Sequence, residues 1–315
     1  MVTLLSARKA IDKVKNSINL SQIRENAPQV LSECALRQVP EEHDGSRYIR
    51  AVERALAYIQ AGDIYQVNVA RHFDALWPGS AAELYLRMRE QSPPSYGAYI
   101  GKGLTASGQS ICSISPELFL SARSGRILTR PIKGTCARGA TPSEDASARR
   151  ALEGSAKERA ELNMIIDLER NDLGRVCVHG SVAVESSGEI EELEALLHRT
   201  ASVSGRLLPG TTVGELLAAT FPGGSITGAP KLRAMEIIAE LESVPRGPYC
   251  GAIGWVGADG DLDLNIAIRT ATVDEEKGTA RYFAGSGIVA DSDPVSEYRE
   301  TLLKATAFLR AVRAP

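Results

Sequence analysis

Gly62-Asp63-Ile64-Tyr65-Gln66-Val67-Asn68-Val69-Ala70-Arg71-His72-Phe73 is the stretch on which the fold turns. Apolar β-formers alternate here with polar residues, so a strand over 64–73 puts Gln66, Asn68 and His72 on one face. Tyr65, Val67, Val69 and Phe73 then take the other. Just upstream, Tyr48, Val52, Ala55, Leu56 and Ile59 fall at i, i+4, i+7, i+8 and i+11, one buried helix face. That helix starts near Ser46 and Gly62 ends it.

Reading outward, residues 81–91 form a helix broken by Pro93-Pro94, and strands follow over 96–100, 110–114 and 118–122. Ser124-Gly125 is a hairpin turn into a strand over 126–132. Two helical stretches cover 144–172, and short strands lie at 176–178 and 182–184. A helix over 213–219 leads into Phe221-Pro222-Gly223-Gly224, and another covers 235–242. Strands over 252–256, 263–273 and 279–285 and a closing helix over 295–312 complete the chain. Paired helices between antiparallel-looking strands give an α+β fold with helices outside a β core. Residues 1–45 read as a polar helical or linker segment, and 46–315 as the main folded domain.

The 315 residues suffice for a large core, and 43% apolar with 24% charged is ordinary for a soluble protein. A net charge of −3 without a basic block argues against nucleic acid as partner. No run approaches the roughly 20 apolar residues that span a bilayer. Residues 1–12 lack the pattern of a signal peptide. Cys34, Cys112, Cys136, Cys177 and Cys250 are odd in number and have no CxxC spacing, which predicts reduced thiols in a cytoplasmic protein.

Chemistry is suggested first by Pro131-Ile132-Lys133-Gly134-Thr135, a lysine in an apolar, turning segment. Alone it reads either as a strand-end lysine or as a working amine, because burial disfavours an ammonium. Glu158 and Glu161 share one side of a helix, as do Glu297 and Glu300, with Lys304 a turn further on. Either pair alone reads as a solvated face; brought together they would make a hard oxygen site suited to Mg²⁺. Thr227 in Gly223-Gly224-Ser225-Ile226-Thr227-Gly228-Ala229-Pro230-Lys231 precedes an expected helix start whose N–H groups could hold an anion. Gly285-Ser286-Gly287 follows a strand and allows close backbone approach. Arg269, expected late in a strand, could clamp a carboxylate; Glu117 could be a general acid; His198 reads as a core histidine or a site residue.

Taken in order, these segments resemble the chorismate-utilising enzymes, the family of anthranilate, aminodeoxychorismate, isochorismate and salicylate synthases. The resemblance rests on Gly62 to Asn68, Ser115-Pro116-Glu117-Leu118-Phe119, the PIKGT run and Glu161 through Arg175. It continues through Gly224 to Glu236, Gly285 to Ser292 and Glu297 to Lys304, so it covers roughly residues 46 to 312. It implies a two-subdomain α/β sandwich with the site between two sheets, and chorismate as substrate. By the same resemblance Glu161 and Glu300 would bind Mg²⁺, supported by Glu158 and Glu297. Arg269, Tyr249 and the backbone at Gly285 and Gly287 would hold the enolpyruvyl carboxylate. Thr227, Thr135, Asn68 and His198 would line the ring site, Lys304 would place the ring carboxylate, and Glu117 would protonate the departing hydroxyl.

Within the family, the water-using branch carries a lysine where this chain has Gln66, which implies ammonia as nucleophile. The aminodeoxychorismate branch resembles this chain in reading PIKGT, where anthranilate synthases read PIAGT. Lys133 would then form a covalent adduct on a route towards 4-aminobenzoate and folate. No Cys-His-Glu triad is evident, so a glutamine amidotransferase partner is expected to supply ammonia. Two departures stand out. The N-terminal part looks shortened, and Arg199-Thr200 follow His198 where the family continues with apolar residues.

Overall fold

The computed structural model describes residues 41–192 and 196–313. Expectations for residues 1–40, Cys34 included, lie outside these. The first helix, α1, spans Glu41–Gln60, so it begins five residues before the expected start and takes up most of the supposed linker end. Tyr48, Val52 and Ala55 are buried on its inner face.

Strand β1 (Gln66–Leu76) follows. Val67 and Val69 pack outward against α1, with Ile288, Ala234 and Ile237 in the same cluster. Gln66, Asn68 and His72 take the opposite face, as the alternation requires. Helix α2 (Ala81–Gln91) is capped by Ser80, whose hydroxyl accepts from the Glu83 amide. Strands β2 (Tyr96–Ile100), β3 (Ser110–Ser115), β4 (Leu118–Arg123) and β5 (Arg126–Arg130) come next. Ser124 and Gly125 both have positive φ, the two-residue hairpin geometry expected.

The expected strand over 126–132 is in fact two, β5 and β6 (Ile132–Ala137), broken at Pro131. Proline has no N–H to give the ladder. Its carbonyl instead accepts from Ala201, and both pieces pair with the same edge of β8 (Leu196–Arg206). Helices α3 (Pro142–Gly154) and α4 (Ala156–Gly174) match the expected pair. The short strands at 176–178 and 182–184 do not form as expected. Cys177 makes only an isolated bridge to Leu207, and β7 (Ala183–Glu192) pairs with β8 in a long hairpin.

The remaining elements are α5 (Val213–Thr220), β9 (Gly228–Ala229), α6 (Lys231–Leu241), β10 (Ala252–Val256), β11 (Leu262–Ile266), β12 (Thr270–Asp274), β13 (Thr279–Ile288) and α7 (Pro294–Arg313). The expected strand over 263–273 is likewise two strands, in different sheets. Arg269 holds a left-handed φ of 49°, and there the chain leaves one sheet for the other.

Two largely antiparallel sheets result, ordered β2-β3-β12-β13-β1-β9 and β10-β11-β4-β5-β8-β6, with β7 on the far edge of β8. One core, including Phe119, Ile127, Leu162, Val203, Ile266 and Phe283, joins residues of both sheets with α4 and α5. The other two cores pack α1, α2, α6 and α7 on the outer side of the first sheet. This is the α+β sandwich with outer helices. No helix among the described residues is long and apolar enough to cross a membrane. Cys112, Cys136, Cys177 and Cys250 are free thiols.

Candidate active site

The break at Pro131 aims Lys133. Pairing runs Ile132 with Thr200, then slips before Thr135 meets His198. Gly134 sits in the slip at φ 84°, and a Cβ there would lie 2.9 Å from Leu152 Cδ1 and 3.1 Å from Glu158 Oε2. Only glycine lets β6 lie this close to α4. Lys133 then reaches across the gap between sheets, where its Nζ donates to the Ser225 carbonyl at 3.3 Å. The lysine is half-buried, and its surroundings are polar and acidic where the local sequence suggested apolar ones.

On the facing sheet, β13 meets β1 in register, with Asn68 opposite Gly287 and Ala70 opposite Gly285. A Cβ on Gly287 would lie 2.7 Å from Gln66 Nε2 and 3.2 Å from Lys133 Nζ. One on Gly285 would lie 2.5 Å from Asn68 Oδ1. The missing side chains are therefore what makes room for Gln66, Asn68 and Lys133. Gln66 is fully buried with neither amide atom hydrogen-bonded, and Asn68 Oδ1 has no partner either. Buried polar groups without partners are uncommon, and here they face the gap into which Lys133 projects.

Glu117 lies at the β3–β4 corner, 3% exposed, and accepts a 2.7 Å hydrogen bond from Ser225 Oγ. Burial raises its pKa above the carboxylate range, against the pull of Ser225 and Lys133, so it is suited to carry a proton. Ser225 thus touches both Glu117 and Lys133. It was not singled out in the sequence, although it lies in the glycine-rich segment that was.

Helices α4 and α7 bring the four glutamates to one region. Burial raises the pKa of Glu158, with repulsion from Glu300 adding to it. Burial likewise raises Glu161, Lys133 opposing and Glu158 reinforcing. Burial also works against ionising Glu300, but Lys304 at 2.7 Å, with Lys133 and Lys157, holds its pKa below the ordinary range. Lys304 also donates to the Gly285 carbonyl at 2.9 Å. Buried Glu297 pairs with Lys157 at 3.2 Å and accepts from Ser292 Oγ at 2.7 Å. Lys157 and Ser292 are further participants the sequence reading passed over, although each lies within five residues of a named glutamate.

These carboxylates are the donor type Mg²⁺ takes, and their mutual repulsion is what a divalent cation relieves. Among the described residues, however, no three acidic, histidine or cysteine side chains converge as a metal site. Lys157 and Lys304 engage Glu297 and Glu300 instead.

His198 is buried, with Nδ1 2.7 Å from the Thr135 hydroxyl and Nε2 unpartnered. Burial, then the nearby Arg269 charge, lowers its pKa to about 4, so it is neutral at physiological pH. Arg269 also acts electrostatically on Glu117, but it occupies the crossing between sheets and not a strand. Thr227 does not cap a helix as expected. It closes the turn Gly224–Ile226 and donates to the Gly223 carbonyl, while α6 starts at Lys231 after Pro230. The intervening Gly228–Ala229 is spent pairing with β1. Tyr249 is buried and stacked on Phe283 at 5.4 Å, its charge environment set by Cys250, Arg246 and Glu242 and not by Arg269.

The chain is 43% identical over 268 residues to anthranilate synthase component 1 of Streptomyces coelicolor, covering 85% of this chain and 52% of that protein. It is 42% identical over 289 residues to aminodeoxychorismate synthase component 1 of Bacillus subtilis, covering 92% and 59%. It therefore spans about half the length of the curated relatives it matches. The crystal structure of anthranilate synthase component I from Streptococcus pneumoniae superposes with a TM-score of 0.77 at 35% identity, covering 96% of this chain and 67% of that one. The family described as chorismate binding enzyme matches residues 4–310, and this chain belongs to it.

Proposed function

We propose that the chain aminates chorismate to 4-amino-4-deoxychorismate, with Lys133 as a covalent nucleophile. The observation that carries this reading is an amine set between Gln66, Gly287 and Ser225, with Glu117, whose pKa burial raises, on the same serine. The Nζ lone pair attacks ring carbon C2 as the C4–oxygen bond breaks, and Glu117 gives a proton so that the hydroxyl leaves as water. Ammonia then forms the C4–N bond while the C2–Nζ bond breaks, which restores the lysine, and the new ammonium returns one proton to Glu117. Chorismate and ammonia are consumed; 4-amino-4-deoxychorismate and water are formed. General acid catalysis at Glu117 is worth roughly 10²–10⁴-fold.

Gln66 and Asn68 supply the hydrogen-bonding groups without protein partners, and Lys304 offers a cation for the ring carboxylate. Arg269 and the backbone at Gly285 and Gly287 would hold the side-chain carboxylate; Thr135, His198 and Thr227 would border the ring. Mg²⁺ bound by Glu161 and Glu300, with Glu158 and Glu297 in support, would neutralise the ring carboxylate and aid departure of the hydroxyl. Ammonia would come from a glutamine amidotransferase, a reading supported by relatives named component 1. The product would lead towards 4-aminobenzoate and folate in the cytoplasm.

Anthranilate formation is the competing reading, since relatives of both names are about equally similar. Lys133 favours amination at C4, because ammonia adding directly at C2 needs no amine at that position. Incubation with chorismate, Mg²⁺ and an ammonium salt separates the two: 4-amino-4-deoxychorismate is expected, and anthranilate alone would reject the proposal. Binding of chorismate without consumption would mark a silent family member. Lys133→Ala should abolish any adduct trapped during turnover and seen by mass spectrometry; an adduct that persists would mean another nucleophile.

A further inference from the structure

We propose that a cavity beside α4, on the other side of β8 from His198, is a second binding site, for a small organic anion. It measures about 420 Å³ and is lined by Arg159, Leu162 and Asn163 of α4, Ser187 and Gly188 of β7, and Arg199 of β8. Arg199 is only 4% exposed. Its Nη2 donates to the carbonyls of Leu152 and Glu153 at 2.6 and 2.7 Å, and its Nε is buried without a partner. A buried guanidinium is ordinarily balanced by a carboxylate or phosphate. Here, among the described residues, its hydrogen-bond acceptors are carbonyls at the end of α3, which supply partial negative charge. Glu153, the carboxylate on the wall among the described residues, has its Oε1 3.4 Å from Arg149.

Size narrows the ligand. Pockets for small organic molecules measure roughly 300–1,000 Å³, so this one exceeds the needs of a bare inorganic ion. An anionic group would enter past the exposed Arg159 and approach the guanidinium of Arg199, whose charge lies behind the wall, with Leu162 beneath. Consecutive strand residues face opposite ways, so His198 turns to Thr135 and Arg199 turns to the cavity. The site is therefore separate from the one around Lys133, and the proposal stands apart from the assigned reaction. Its charge also falls where the chain departs from the family's apolar pattern after His198.

The test is thermal unfolding of the full chain titrated with benzoate and with inorganic phosphate, ionic strength being held constant with chloride. Wild type should show a saturable rise in Tm of a few degrees, and Arg199→Met a flat response. A larger response to benzoate identifies a carboxylate ligand, and a larger one to phosphate a phosphorylated ligand. Equal responses in both proteins, or none in wild type, overturn the site. Should Arg199→Met fail to fold, wild-type crystals soaked in selenate decide. An anomalous peak in the cavity between Arg159 and Arg199 supports the proposal, while peaks only near Lys133 and Lys304, or none, refute it.

Discussion

Replacing Gly287 by alanine tests the candidate site sterically. Gly287 has no left-handed φ, so alanine can take its backbone conformation. The added methyl would stand 2.7 Å from Gln66 Nε2 and 3.2 Å from Lys133 Nζ. Carbon and nitrogen in ordinary contact need about 3.5 Å, so Gln66 must retreat by under an ångström and Lys133 by a few tenths. Both are ends of side chains that can move, so the stability cost should stay within about 1 kcal/mol. Turnover should suffer far more, since a misplacement of about 1 Å costs on the order of 10²-fold. If the proposed reaction is the one catalysed, a tenfold to hundredfold loss of 4-amino-4-deoxychorismate formation with a Tm near wild type is expected. Gly285→Ala is the contrast, because its methyl would stand 2.8 Å from the Val69 carbonyl, and backbone cannot swing aside. It should cost about 1–3 kcal/mol of stability. Gly103→Ala meets nothing within 4 Å and should alter neither quantity. Full turnover in a normally folded Gly287→Ala would refute the placement of the reacting amine beside Gly287.

Further outcomes can be measured independently. Burial, with Asp172 repulsion, raises Glu169 to a pKa of about 7, against Lys231 and the Gly224 amide. The folded state then holds the extra proton between pH 4.5 and 7, so stability should fall across that window by roughly 3 kcal/mol. Urea midpoints should fall more steeply in wild type than in Glu169→Gln, where Glu117, Glu158 and Glu161 still contribute; parallel curves would exclude Glu169 as a source. His198, with its pKa near 4, should show no imidazole titration by NMR between pH 5.5 and 8, and a midpoint near 6.5 would contradict its buried placement. Lys157→Met leaves Glu297 without its ion pair. The metal-free variant should be less stable and should need several-fold less Mg²⁺ for half-maximal activity; an unchanged requirement would remove Glu297 from the proposed ligands.

What the sequence determined is what lies in a local pattern. The alternation in β1 assigned Gln66, Asn68 and His72 to one face and Val67, Val69 and Phe73 to the other, because the strand period is two. Helical spacing likewise paired Glu158 with Glu161 and Glu297 with Glu300. The ordered motifs were enough to recognise the chorismate binding family. Tertiary structure decided the rest. The β7–β8 hairpin was illegible because β7 is largely exposed and rich in serine and glutamate, so pairing with β8 and not burial makes it a strand. One apparent strand over 263–273 became two in different sheets, since a single left-handed residue, Arg269, leaves no periodic trace. Ser225 gained its place only when the turn carrying it met Glu117 and Lys133, residues about a hundred positions away. Side-chain period is a property of neighbours in sequence; the meeting of an amine, an acid and four carboxylates depends on how two sheets and their helices pack.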